Sequence, residues 1–194
     1  MSSNINANYP VTGTPTTQSV RDNFAAAKAE ILELQGSVGW ADYNDTLTAT
    51  TPISPAIGLF TKLTNNGQGV NTSTTHLPNG IATLWDTTNN QIDLTQIPLY
   101  SMVNARYDLS ITTTAANQSV NFSVFLGVGS PSAYESPKFY QQFKTAGTYP
   151  ITIWSGSYVG STDIKNYPGE IKLKSDAACT VRVNGWYFQV FKKL

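Results

Sequence analysis

The stretch NARYDLSITT, residues 104–113, alternates without a slip: Ala105, Tyr107, Leu109 and Ile111 share one parity, and Arg106, Asp108 and Ser110 the other. Successive side chains of an extended chain point to opposite faces, so this pattern predicts an antiparallel strand, dry on one side and wet on the other. The same period recurs on both sides of it. IGLFTKLT (57–64), GIATLW (80–85), SVNFSVFLGVG (119–129), TYPITIW (148–154), GEIKLKS (169–175) and CTVRVNGWYFQVF (179–191) read as further strands. In GEIKLKS the inward positions are Ile171 and Leu173, with Glu170, Lys172 and Lys174 outward. Cys179 shares parity with Val181 and Val183, which reads as a small core residue.

Between these runs lie NNGQG (65–69), PNG (78–80), TTNNQ (87–91), GVGSPS (127–132) and GSYVGS (156–161), all built from residues that tolerate φ > 0 or preset a turn. Asn184-Gly185 fits either a two-residue hairpin loop or a bulge within one long strand. Roughly eight to ten short strands with no helical pattern after residue 40 predict a mainly β fold. Their number and length favour an antiparallel jelly-roll sandwich over a seven-stranded immunoglobulin-type domain.

Towards the N-terminus the period changes. Val20, Phe24, Ala27, Ile31 and Leu34 are spaced 4, 3, 4 and 3, the rhythm of a coiled-coil seam with Phe24 and Ile31 at a positions. Thr16, Thr17 or Ser19 is placed to cap the start of a helix and Gly36 to end it. Two heptads are marginal alone, so two readings stand: a short helix pairing around a symmetry axis, or one folded back on its own domain. Leu32, off the seam, favours the second. Ahead of the helix, a polar, Thr-rich arm contains Pro10 and Pro15 and only Ile5, Tyr9 and Val11 as sizeable apolar residues. The expected organisation is an extended arm over 1–18, a helix over 19–36 and a β-domain over 40–194.

The 194 residues carry 12 Lys and Arg against 12 Asp and Glu, and only 12 % of the chain is charged. The usual charged fraction is about 25 %. With a mean hydropathy of −0.20, Ser, Thr, Asn and Gln must supply the polar surface. No basic stripe marks a nucleic-acid partner, and no run approaches the ~20 apolar residues needed to cross a bilayer. The opening MSSNINANYP has neither a basic segment nor an apolar core of a leader, so synthesis in the cytoplasm is expected.

Signals for catalysis are sparse. His76 is the single histidine, in a loop-like stretch without nearby acids, and Cys179 is the single cysteine. Asp86, Asp93, Asp108, Glu135, Asp163 and Glu170 contain enough carboxylates for glycan hydrolysis, yet they fall at outward strand or turn positions. GVGS (127–130) leads into Pro131 and not into a helix, so it is no phosphate loop. The expectation is a protein that is not an enzyme and holds no cofactor or metal. Trp85, Trp154 and Trp186 are expected in the core, Trp186 and Tyr187 on opposite faces, and Tyr134, Tyr140, Tyr149, Tyr158 and Tyr167 in or beside loops.

Three stretches, YPVTGTPTTQSVRDNFAAAKAEILELQ (9–35), NQIDLTQIPLYSMVNARYDLSITTTAANQSVNF (90–122) and YPGEIKLKSDAACTVRVNGWYFQVF (167–191), resemble small structural proteins of tailed-bacteriophage virions. The positions matched are Pro10, Gly13, Pro15, Thr16 and Thr17 in the arm and Gly185 and Trp186 near the end. The resemblance implies a jelly-roll or tumour-necrosis-factor-like sandwich that forms a homotrimer, tethered by its N-terminal segment, with no catalytic residues. It further implies a decoration protein, cement or head fibre, on the capsid surface. Tyr9, Pro10, Val11 and Pro15 would then anchor to the major capsid protein, and Val20, Phe24, Ala27, Ile31 and Leu34 would form the trimer seam. The alternative is a tail-fibre or tail-tip protein in contact with tail proteins, whose β-domain binds a glycan on the host surface.

Overall fold

The structure, a computed structural model, describes residues 16–193. One long helix, α1 (Thr17–Gln35), leads into β1 (Val38–Asn44), the short α2 (Leu47–Thr50), β2 (Thr61–Lys62), β3 (Ser73–His76) and the small hairpin β4 (Trp85–Asp86) and β5 (Gln91–Ile92). The long strands follow: β6 (Met102–Thr113), β7 (Gln118–Leu126), β8 (Tyr134–Phe143) and β9 (Gly147–Tyr158). After α3 (Thr162–Asn166) come β10 (Glu170–Ser175) and β11 (Cys179–Phe191).

Pairing is antiparallel and nested: β1 with β11, β2 with β10, β6 with β9, β7 with β8. A chain doubled back on itself and wrapped in this way is a jelly roll. Two further ladders, β6 with β11 and β7 with β10, join the nested pairs into a five-stranded sheet ordered β3-β1-β11-β6-β9 and a four-stranded sheet ordered β2-β10-β7-β8. The antiparallel sandwich expected from the alternation is the fold. Inward residues of both sheets form its core, centred on Trp186, which meets Trp85 and Tyr107 edge to face, with Phe122 and Phe188 around Tyr107.

The Asn184-Gly185 ambiguity resolves as a bulge. The register of β11 on β6 slips between Val183 and Gly185. Cys179, Val181 and Val183 are buried on odd numbers before the slip, and Trp186, Phe188 and Val190 on even numbers after it. The extra residue therefore switches parity in mid-strand, so both halves face one core. A Cβ at Gly185 would come within 2.6 Å of Asn44 Nδ2, so a larger residue there would displace the Asn44 side chain. Gly39 is constrained by backbone: its Cβ would lie 2.2 Å from the His76 carbonyl oxygen where β1 meets β3.

Several expectations need correction. The strand read over 57–64 shrinks to Thr61–Lys62, and that over 80–85 leaves only Trp85 in a strand. Gly58 and Gly80 both adopt positive φ and break the extended runs. Ile81 and Leu84 are still buried, so their apolar character reflects the core and not a ladder. Residues after 40 also form two short helices, α2 and α3. His76 belongs to β3. Trp154 is 61 % exposed, not a core residue.

Candidate assembly faces

The α1 helix starts at Thr16, whose Oγ1 accepts a hydrogen bond from the Ser19 amide at 3.2 Å. It ends where the Gly36 amide donates to the Leu32 carbonyl, with Gly36 at φ −87° and so outside the left-handed conformation of a glycine cap. No residue of α1 belongs to the buried core or packs against it. Phe24 is 72 % exposed, Val20, Ile31 and Leu34 are exposed, and Ala27 is half-buried. Leu32 is exposed as well, so the helix is not folded onto its own sandwich. The anchor residues Tyr9, Pro10, Val11 and Pro15 lie outside the described residues.

A second apolar surface covers the outward side of the five-stranded sheet. At the end nearest α1, register places Val38, Phe191, Met102 and Tyr158 side by side across β1, β11, β6 and β9, all exposed. Farther along, one side chain from each strand forms a continuous chain of contacts. His76 stacks on Trp40 at 4.3 Å, and Trp40 on Tyr187 at 6.0 Å. The Arg106 guanidinium then lies 5.4 Å from the Tyr187 ring and 5.7 Å from that of Trp154. Arg106 Nε also donates to Asp108 Oδ2 at 2.8 Å, while Thr152 donates to the other carboxylate oxygen. Asp42 sits beside this pair; burial pushes its carboxyl above the ordinary range, with Asp108 adding to the rise and Arg106 opposing it.

The outward side of the four-stranded sheet differs in chemistry. Lys62, Lys172 and Lys138 all find carboxylates there. Glu170 takes Lys172 at 2.6 Å and Lys62 at 3.3 Å, and Glu135 takes Lys138. Burial raises Glu170, but Lys172, Gln91 and Lys62 outweigh it and hold the carboxyl below its usual value. Lys174 lies over Phe60 and Lys172 over Phe125. The remaining surface includes Ser119, Asn121 and Tyr140, whose hydroxyl pairs with that of Ser119.

The carboxylates that might have served catalysis are dispersed. Asp108 and Glu170 occupy opposite faces, and Glu135 accepts from Ser123. Asp86 accepts from the Thr88 and Asn89 amides; with Asp93 it lines a shallow cavity of about 220 Å³ beside Asn166, Tyr167 and Pro168. Among the described residues, no group of three or more His, Cys, Asp or Glu is placed to hold a metal ion. No helix among them is long and apolar enough to cross a membrane.

Parity could have revealed the sheet face. Trp154 is out of phase with the inward Ile151 and Ile153, and Met102 is in phase with Arg106. For Phe191 the bulge had to be known first.

No family model matches the sequence, and no curated protein does. Among solved structures the chain is similar to Eiger TNF from S. frugiperda, at a TM-score of 0.48 and 6 % identity, over 81 % of this chain and 94 % of that one. It is also similar to the vertex protein P5 of PRD1, at a TM-score of 0.37 and 12 % identity, over 81 % of this chain and 96 % of that one.

Proposed function

We propose that this chain is a non-enzymatic structural protein of a tailed-phage virion, a homotrimeric decoration protein of the cement or head-fibre type that binds the outer capsid surface. The observation that carries this reading is the exposed stripe on α1, because Phe24, Ile31 and Leu34 find no cover among the described residues. Apolar side chains repeated at a/d spacing are buried by helices of the same kind. Three copies around one axis would present three N-terminal arms together. In this reading Tyr9, Pro10, Val11 and Pro15 anchor to the major capsid protein, prolines being residues that favour extended backbone open to pairing with another chain. Each arm then needs only modest affinity, since linked arms rebind at high effective concentration. The low-charge surface contributes no electrostatic partner of its own.

Deleting residues 1–18 tests the attachment. The truncated protein should keep its oligomeric state and melting temperature, and should lose binding to undecorated particles in a co-sedimentation assay. Undiminished decoration would place the anchor in the sandwich.

The cavity beside Tyr167 favours a second reading, a tail-fibre or tail-tip protein whose β-domain takes a sugar of a host glycan. An aromatic ring next to carboxylates and amides is the chemistry that holds a sugar ring. Copy number per virion separates the two: decoration requires hundreds of copies, a fibre tens or fewer.

A further inference from the structure

We infer that the Asn79-Gly80 pair is a site of spontaneous covalent modification, at which the Asn79 side-chain amide is lost and a new carboxylate appears beside Lys192, where the helix joins the sandwich.

The chain carries three Asn-Gly pairs, Asn66-Gly67, Asn79-Gly80 and Asn184-Gly185. Such a pair can close on itself, because glycine has no side chain to hinder the approach of its nitrogen to the preceding residue. The reaction needs no partner but water. The Gly80 nitrogen loses its proton and bonds to Asn79 Cγ, while the Cγ–Nδ2 bond breaks and the side-chain nitrogen leaves as ammonia. Water then opens the succinimide ring that results. Opening at Cγ leaves an aspartate in an ordinary chain. Opening at the main-chain carbonyl carbon leaves an isoaspartate, whose chain runs on through Cβ and Cγ.

The fold separates the three pairs. In the first, both reacting groups are engaged: Asn66 Oδ1 accepts from the Thr46 amide at 3.1 Å, Asn66 Nδ2 donates to the Thr46 hydroxyl at 2.9 Å, and the Gly67 N–H donates to Asn65 Oδ1 at 2.8 Å. The third pair lies in mid-strand. Asn184 Nδ2 donates to the Ser110 hydroxyl at 3.2 Å, and Gly185 is paired between Asn44 of β1 and Asp108 of β6. Asn79 and Gly80, in contrast, are exposed at the tip of a turn that the Ile81 amide closes on the Pro78 carbonyl at 3.1 Å, with Gly80 at φ +84° as in a type II turn. Among the described residues, neither the Asn79 side chain nor the Gly80 N–H is in a hydrogen bond. Only the turn bond and a bond from Lys192 Nζ to the Asn79 carbonyl, at 3.2 Å, resist the rotation that brings the two groups together. Exposed segments held by so few bonds open most readily.

The position gives the change its consequence. The Lys192 amide donates to the Ser37 carbonyl at 2.7 Å, and a Cβ on Gly36 would lie 3.3 Å from Asn79 Nδ2. Position 79 therefore adjoins both the link between α1 and β1 and the segment that follows β11. A carboxylate there meets the Lys192 ammonium, and the isoaspartate lengthens by one carbon a turn that leads directly into the buried Ile81.

The test keeps the full-length protein folded in mildly alkaline buffer, which favours the deprotonated nitrogen, and unfolded in concentrated urea in parallel. Proteolytic peptides are then read by mass spectrometry with electron-transfer fragmentation, which distinguishes aspartate from isoaspartate. In the folded protein, position 79 should convert at least about ten-fold faster than 66 or 184, both of which must open locally first, and part of its product should be isoaspartate. In urea the three should convert at similar rates. Conversion at 66 or 184 as fast as at 79 in the folded chain overturns the site, as does a folded 79 slowed relative to urea as much as the other two. Aspartate at 79 without any isoaspartate also overturns it, because the amide would then have been hydrolysed directly.

Discussion

The two outward sides of the sandwich are built on the same alternation and look unlike each other. On the five-stranded sheet the outward positions include Trp40, Met102, Arg106, Trp154, Tyr158, Tyr187 and Phe191, beside polar positions such as Asn104, Asp108, Ser110, Thr152 and Gln189. On the four-stranded sheet they include Lys138, Lys172, Lys174, Glu170, Ser119 and Asn121, with Phe125 and Tyr140 as the aromatic exceptions. Alternation specifies which residues leave the core and says nothing about what they then meet. The second set is satisfied in water, by ion pairs and hydroxyl contacts that water competes with at little loss. The first set is left with apolar area that only another surface can cover.

The largest effect that bears on this contrast is expected at α1. Changing Phe24 and Ile31 to Asp puts six like charges around the axis of a trimer. Association should fall by more than about 100-fold, as expected when buried apolar contacts become unpaired charges. The sandwich should still melt at the temperature of the dissociated wild type, since no α1 residue lies in its core. Sedimentation equilibrium together with circular dichroism reads both, and an intact trimer would remove the helix from the interface.

Next come two residues matched in exposure, Trp154 and Tyr140, each 61 % exposed on opposite faces. Trp154→Ala should weaken association by about 10- to 30-fold, in the range of an interfacial hot spot. Tyr140→Ala should leave it unchanged. Equal effects would mean that the faces do not differ in role.

A smaller effect is expected within the polar face. Glu170→Gln removes the negative charge that holds Lys172 and Lys62. The cost should be about 1–2 kcal/mol, typical of charge-assisted hydrogen bonds, and a melting temperature lower by about 3–6 °C. Association should not change.

The smallest effect is one of sign. Glu170 is held below its ordinary value of 4.5, so its contribution to stability is complete above that value and is lost as pH falls through the lowered one. Asp42 is held above its ordinary 3.8, so its contribution is complete below that value and is lost as pH rises through the raised one. Between about pH 6 and pH 3, thermal melts should show Glu170→Gln converging on wild type with acid. Asp42→Asn should look more stable than wild type near pH 6 and lose that advantage towards pH 3. Parallel curves for both variants would contradict the assignment.

Much of this architecture could be read from parity. β6, β7, β10 and β11 are legible because aliphatic or aromatic residues fill most inward positions, from Ala105 to Ile111 and from Val120 to Leu126, with polar Thr113, Gln118 and Ser175 only at strand ends. β1 was hidden because its inward residues are Gly39, Ala41 and Tyr43, two of them too small to register as apolar signal. β8 was hidden by a polar run that includes a proline, tolerable because the strand lies at a sheet edge. The helix stripe was visible, whereas whether it folded back could not be, since that depends on the line along which α1 leaves Val38. The sheet face went unread for a different reason. Trp154 was assigned by residue type, when its phase relative to Ile151 and Ile153 already placed it outside.

The extra residue at Asn184 constrains how the length of this chain can change. Removing Asn184 itself would close the bulge, with Gly185 following Val183 and the pairing of Gly185 with Asp108 and Trp186 with Tyr107 kept, so Trp186, Phe188 and Val190 would stay inward. A single residue lost or gained elsewhere in the final strand, with the bulge kept, would instead exchange inward and outward positions beyond it, so the bulge is the one place where the strand can change length by one.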